Sequence, residues 1–159
     1  MSREPEPVPA PKAFRLSRRF DRTARLVGDA AMERLAQARV VVFGLGGVGS
    51  FAVEGLVRSG VGCLTLVDFD QVCVTNINRQ LHATASTVGK SKAELMAARA
   101  RQINPDATVV EVKEFYRAEL AEALLPAGAY DFVVDAIDNV KAKLHLLNRC
   151  VELGLPVVS

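Results

Sequence analysis

Four consecutive apolar residues, Val40, Val41, Val42 and Phe43, run directly into the glycine-rich stretch GLGGVGS. An apolar run without alternation is what a strand covered on both faces needs, so residues 40–43 read as a central strand of a parallel sheet. Gly44, Gly46 and Gly49 fit the spacing G-x-G-x-x-G, with Gly47 as an extra glycine. In that pattern the first glycine permits a tight turn, the second lets backbone approach a phosphate chain, and the third allows close packing of helix on strand. Residues 50–58 then read as a helix, Gly60 and Gly62 interrupt it, and CLTLVDFD supplies a second strand. A strand, turn, helix, strand unit with right-handed crossover places the glycine loop at the carboxyl end of the sheet, where ligands of such folds bind. The expected class is α/β, a doubly wound, mainly parallel sheet of Rossmann-like topology.

The rest of the chain repeats that alternation. Helices are expected at 29–37, 91–102, near 117–125 and at 141–153, and strands at 107–112 and 130–135. PVVS begins one more strand, so the sheet is expected to continue past Ser159 and the chain to be incomplete at its carboxyl end. The 159 residues are 50% hydrophobic and 24% charged, enough apolar content for a core and too much for a disordered tail. Residues 1–16, with prolines at 5, 7, 9 and 11, read as an extended flexible arm, and residues 17–39 as a helical arm. Residues 40–159 form the nucleotide-binding domain.

The formal net charge of +2 does not identify a nucleic-acid binder. It is unevenly placed, however: residues 1–39 carry nine Lys/Arg against five Asp/Glu, and residues 40–159 carry eleven against thirteen. Cys63, Cys73 and Cys150 are neither a disulfide framework nor a metal knuckle, which suits a reducing cytoplasm. No stretch has the length and apolarity of a membrane span, and the start lacks a secretory signal.

Asp68 lies 24 residues after Gly44, where a strand-end carboxylate can accept from a nucleotide ribose. Asp70, Asn76, Asn78, Arg79 and Gln80 follow, and KSK adds Lys90 and Lys92. Several donors crowded on one phosphate region favour adenylation over hydride transfer, because expulsion of pyrophosphate places charge on phosphoryl oxygens that cations stabilise. Arg79 and Lys92 are the candidates for that work. Asn76 and Asn78 bond to phosphate or serve as turn residues and caps, and Lys90 is equally explained as a solvated charge. In VVDAIDN, Asp138 is the candidate magnesium ligand, Asp135 a second ligand or a brace for the loop, and Asp138 or Asn139 the cap of the next helix. His82 follows the Arg79 loop, His145 falls within a helix, and no cysteine has a motif marking a nucleophile.

RFDRTARLVG, VVVFGLGGVGS, LTLVDFDQVCVTNINRQLHA, VGKSKAE and DFVVDAIDN, in this order, resemble the ATP-dependent adenylating enzymes related to ubiquitin-activating and molybdopterin- or thiamine-biosynthesis activators. The resemblance covers roughly residues 17–159, and VCVTNINRQLHA is most similar to the branch that acts on threonylcarbamoyl-modified tRNA beside the anticodon. It implies ATP and Mg2+, a homodimer contacted through residues 17–39, and a sulfur-transfer protein as a further partner. By motif position Gly44, Gly46 and Gly49 would hold the nucleotide together with Asp70, Asp68 its ribose, and Arg79 and Lys92 its phosphates. Asn76 would order the phosphate site, Asp138 would meet magnesium, and Arg22 would reach the neighbouring subunit's ATP site. The implied reaction adenylates the threonylcarbamoyl carboxylate and then cyclises it with release of AMP. The alternative is adenylation of the C-terminal carboxylate of a ubiquitin-like sulfur carrier. Where family members often place an arginine after the last aspartate, this chain has Lys141 and Lys143.

Overall fold

The computed structural model describes residues 10–12, 14–15 and 17–159. Most of the expected proline-rich arm therefore lies outside the described residues. Strands β1 (Arg39–Phe43), β2 (Cys63–Val67), β3 (Thr108–Val112), β4 (Phe132–Asp135) and β5 (Val157–Val158) form one sheet in the order β3-β2-β1-β4-β5. Every pairing is parallel, with Val41 opposite Thr65 on one side and Val133 on the other. This is the expected doubly wound sheet.

The unbroken apolar runs are explained by two cores. Val40 and Val42 face a cluster with Val53, Leu64, Leu66 and Met96, under helices α3 (Gly47–Arg58) and α4 (Lys92–Ile103). Val41 and Phe43 face the opposite cluster with Tyr116, Val133, Leu146 and Cys150, under α6 (Val140–Glu152). Phe43, Leu64, Leu66, Met96 and Leu146 are almost wholly buried. Each such side chain contributes about 1.5–3 kcal/mol of transfer free energy. At the sheet's amino end, Asp131 accepts from the Arg39 backbone N–H at 2.8 Å and pairs with its guanidinium at 2.9 Å, fastening β1 to the start of β4.

Several boundaries differ from expectation. Helix α3 starts three residues early, inside the glycine run, because Gly49 packs directly on Gly44: a Cβ on Gly49 would stand 1.8 Å from the Gly44 carbonyl oxygen. The expected helix near 117–125 is a 3-10 turn, Ala118–Leu120, followed by the single-turn α5 (Ala121–Leu124), and Pro126 and Gly128 close it off. β4 begins at Phe132 rather than 130, since Asp131 is occupied by the Arg39 clasp and Tyr130 packs into the core. The helical arm is a 3-10 turn, Arg18–Phe20, then α1 (Asp21–Val27) and α2 (Asp29–Gln37), separated at Gly28 with φ +81. Of these α2 has its expected bounds. Lys92 opens α4, whose N-cap Ser91 accepts from the Glu94 N–H.

Candidate functional site

Because β1 crosses to β2 on one side and pairs β4 on the other, the loops after these three strands converge at the carboxyl end of the sheet. They enclose a pocket of about 460 Å³ lined in part by Gly44, Gly46, Gly47, Asp68, Lys92 and Asp138. Gly44 turns the chain with φ +85, and a Cβ there would meet the Ala136 carbonyl oxygen at 2.7 Å, so glycine is required by conformation and by space. Gly46 precedes α3 and no side chain caps the helix. Its first N–H groups, and the positive end of its dipole, are thereby left for a ligand.

Asp68 directly follows β2 and is 8% exposed. Its Oδ2 accepts from the Leu45 N–H at 2.6 Å and its Oδ1 from the Asp70 N–H at 2.8 Å. A carboxylate accepts about four hydrogen bonds, so capacity remains for two ribose hydroxyls. Burial raises the pKa of Asp68 above the usual 3.8, opposed by these two backbone donors and the charge of Lys92. Lys92, 5% exposed, reaches back to Asp70 with Nζ 2.8 Å from Oδ2. Both residues line the pocket, so Asp70 presents the ammonium to it.

Arg79 is held by Nη1, which donates to the Thr75 carbonyl at 3.1 Å and to Asn78 Oδ1 at 3.0 Å. Its stem lies beside Gly47, where a Cβ would be 3.6 Å from Cγ, and its Nε and Nη2 have no partner among the described residues. Buried Asn76 also lines the pocket, but its Oδ1 accepts from the Cys73 N–H at 2.9 Å, which closes the turn that carries Arg79. Asn78 braces Arg79 and does not line the pocket.

Asp138 is exposed, lines the pocket, and has no hydrogen bond or ion pair among the described residues. Asp135 does not share its position: its Oδ1 accepts from the Ile137 N–H at 3.1 Å and its Oδ2 pairs with Lys143 Nζ at 2.7 Å, the loop-bracing arrangement. Asn139 is the cap of α6, accepting from the Ala142 N–H at 3.0 Å. No group of three or more His, Cys, Asp or Glu among the described residues is arranged around a metal. A single carboxylate beside a triphosphate suits Mg2+, which keeps waters and takes phosphate oxygens as its other ligands.

Arg22 sits exposed on α1 and lines no part of this chain's own pocket. Lys90 is likewise exposed outside it. His82 is buried with neither ring nitrogen hydrogen-bonded, and burial and the Lys92 charge pull its pKa down to about 4. His145 Nδ1 lies 3.1 Å from the Tyr116 hydroxyl. Cys73 is exposed, and the Thr75 hydroxyl donating to its Sγ lowers the thiol below its usual value. Cys63 and Cys150 are buried.

Three pocket residues carried no assigned role in the sequence. Gln80 is 6% exposed, with its amide beside Gly46 and its Oε1 unpartnered. Phe115 and Tyr116 form an aromatic wall from the segment after β3, Phe115 packing edge-on against Phe69 at 5.1 Å between ring centres. Only the sheet order brings that segment to the glycine loop, so no local motif marks it.

The profile of the ThiF family matches residues 20–159. The chain belongs to the ThiF family. Among its relatives, this ThiF-family chain is 47% identical over 141 residues to the tRNA threonylcarbamoyladenosine dehydratase of Escherichia coli, covering 89% of the chain and 52% of that protein. It is 46% identical over 140 residues to the Bacillus subtilis enzyme of the same name, covering 88% and 55%. The crystal structure of the E. coli dehydratase in complex with ATP superposes with a TM-score of 0.85 at 47% identity, over 87% of this chain and 57% of that one. The chain thus spans about half the length of the curated relatives it matches. No helix among the described residues is long and apolar enough to cross a membrane.

Proposed function

We propose that this protein is an ATP-dependent enzyme of the cytoplasm that adenylates the carboxylate of the threonylcarbamoyl group on a tRNA adenosine near the anticodon and then closes the ring, releasing AMP. What carries the reading is one pocket in which an uncapped helix start, two cations and a strand-end carboxylate converge, in a chain 47% identical to a dehydratase solved with ATP. The substrate is taken from the names of the two relatives.

In this reading the N–H groups at the start of α3 and the backbone at Gly46 receive the phosphates, and Asp68 accepts from the ribose. Phe115 and Phe69 offer an apolar wall for the base. Arg79, through its unpartnered Nε and Nη2, and Lys92, presented by Asp70, stabilise negative charge as the substrate carboxylate attacks the α-phosphate and pyrophosphate leaves. AMP is then a far better leaving group than oxide, and a nucleophile within the same carbamoyl group displaces it. This second step is intramolecular, so no protein thiol is required as acyl acceptor. Asp138 would hold Mg2+, which supplies charge neutralisation at the phosphates.

The active form in this reading is a homodimer, with Arg22 of each subunit serving the other's site. Two observations support it: Arg22 is exposed away from its own pocket, and α6 shows Val140, Leu144 and Val151 on one exposed apolar face. The deciding experiment measures AMP formed by the full-length protein from Mg-ATP with threonylcarbamoyl-modified tRNA, against the same tRNA unmodified, together with analysis of the nucleoside. AMP and cyclised nucleoside appearing only with modified tRNA is the expected result. AMP formed instead on a small sulfur-carrier protein, with no cyclised nucleoside, would replace this reading by the carrier activator.

A further inference from the structure

A second cavity, larger than the nucleotide pocket, lies away from the chemistry, at the amino end of the sheet. It is a groove of about 710 Å³ between the arm, α2 and the loop joining α4 to β3. We propose that this groove is a docking site for the phosphodiester backbone of RNA, with Lys12, Arg15 and Arg18 as its phosphate contacts. That the RNA is the substrate tRNA rests on the activity proposed above; that the ligand is a polyanion rests on the groove alone.

The groove is a built feature. Arg19 pins the arm to the molecule, its Nη1 lying 3.1 Å from Asp106 Oδ2, and Ser17 Oγ accepts from the same guanidinium at 3.1 Å. Its floor is Met32 and Phe20 packed over Gly60, where a Cβ would stand 3.0 Å from Met32 Cε. Asp106 is the single acid in the lining and is taken by Arg19. Lys12, Arg15 and Arg18 are exposed and have no ion pair or side-chain hydrogen bond among the described residues. Three cations on one arm of the groove without interleaved acids concentrate positive potential, and guanidinium forks match phosphate oxygens. Four of the nine Lys/Arg of residues 1–39, Arg19 among them, therefore line this groove.

The position selects a macromolecule. The strands run from this groove to the nucleotide pocket, and a five-residue strand is about 17 Å long. No small ligand spans both, whereas a folded RNA held here can present a distant nucleoside at the other end. The ATP phosphates already have their own cations in Arg79 and Lys92.

The test is binding of unmodified tRNA to the full-length protein, followed by fluorescence anisotropy across a salt series. Replacing Lys12, Arg15 and Arg18 together by Ala is expected to weaken binding at least about tenfold near physiological salt and to make the log–log salt slope shallower by about 2, while ATP binding stays unchanged. The charge-keeping triple, Lys12→Arg with Arg15→Lys and Arg18→Lys, is expected to bind as the wild type does. An alanine triple with wild-type affinity and slope overturns the proposal. So does an alanine triple that binds RNA normally but sediments as a monomer, which makes the groove a subunit contact. Because unmodified tRNA is used, groove-dependent binding without turnover of modified tRNA would retract the reaction and leave the docking site standing.

Discussion

Two glycines of one helix separate what a glycine does from where it stands. In α3, a Cβ on Gly49 would lie 1.8 Å from the Gly44 carbonyl oxygen, whereas one on Gly55 would meet nothing within 4 Å. Gly49→Ala must therefore push α3 off the loop. We expect it to cost several kcal/mol and to abolish ATP binding, read by urea denaturation and by calorimetric titration. Gly55→Ala is expected to stabilise the protein by about 0.5–1 kcal/mol, since an open helical site gains the propensity difference alone. His82 supplies a pH signature. Its pKa is near 4 in the fold against 6.5 in a free chain, so between those values the unfolded chain holds a proton that the native state does not. Stability is fully present above pH 6.5 and falls with the pH through that window, by roughly 3 kcal/mol over its whole span. Urea midpoints measured at about pH 7 and about pH 5 should show the drop, and His82→Gln should remove it. Asp68 was legible because its charge stands at a strand end at a fixed distance from the glycines, and Lys92 because it is a cation at the start of the next helix in KSK. Gln80 was not, since an uncharged amide beside an arginine looks the same whether it faces a pocket or water.

The elements that sequence revealed are those whose burial leaves a pattern. β1 and β2 bury nearly every residue on two cores, which writes an uninterrupted apolar run, and α2 and α4 have clear stops. α1 buries none of its residues and exposes Leu26 at 85%, so it has no stripe to read, and the single turn of α5 is shorter than any helical period can report. What joins elements is less visible still. Glu54 on α3 accepts from Arg99 on α4 at 2.6 Å and pairs with Arg58 one turn along, partners that lie 45 and four residues away. The Arg99 hydrogen bond chiefly holds the Glu54 carboxyl below its usual 4.5. Glu54→Gln should therefore destabilise the protein at neutral pH by roughly 0.5–1 kcal/mol, the half-exposed arginines being screened by solvent. With a lowered native value, this contribution is present above pH 4.5 and disappears as the pH falls below it, so wild type and variant should converge in acid denaturation curves.

At the scale of the whole molecule the sheet order does what no single stretch of sequence does: it sets the loops after β1, β2 and β4 around one pocket and leaves Arg22 outside it. If Arg22 acts on the neighbouring subunit, mixing Arg22→Ala and Lys92→Ala subunits builds one complete site in each mixed dimer. Random pairing should then restore roughly one quarter of wild-type AMP formation, whereas an arginine acting within its own subunit restores none. The Asp68 carboxylate has a last consequence. By accepting from Leu45 and Asp70 it ties the loop after β1 to the loop after β2 before any ligand arrives. The entropy of ordering those loops is spent during folding, so nucleotide capture should be a one-step encounter, its rate proportional to ATP concentration and free of a slow rearrangement that levels off at saturation.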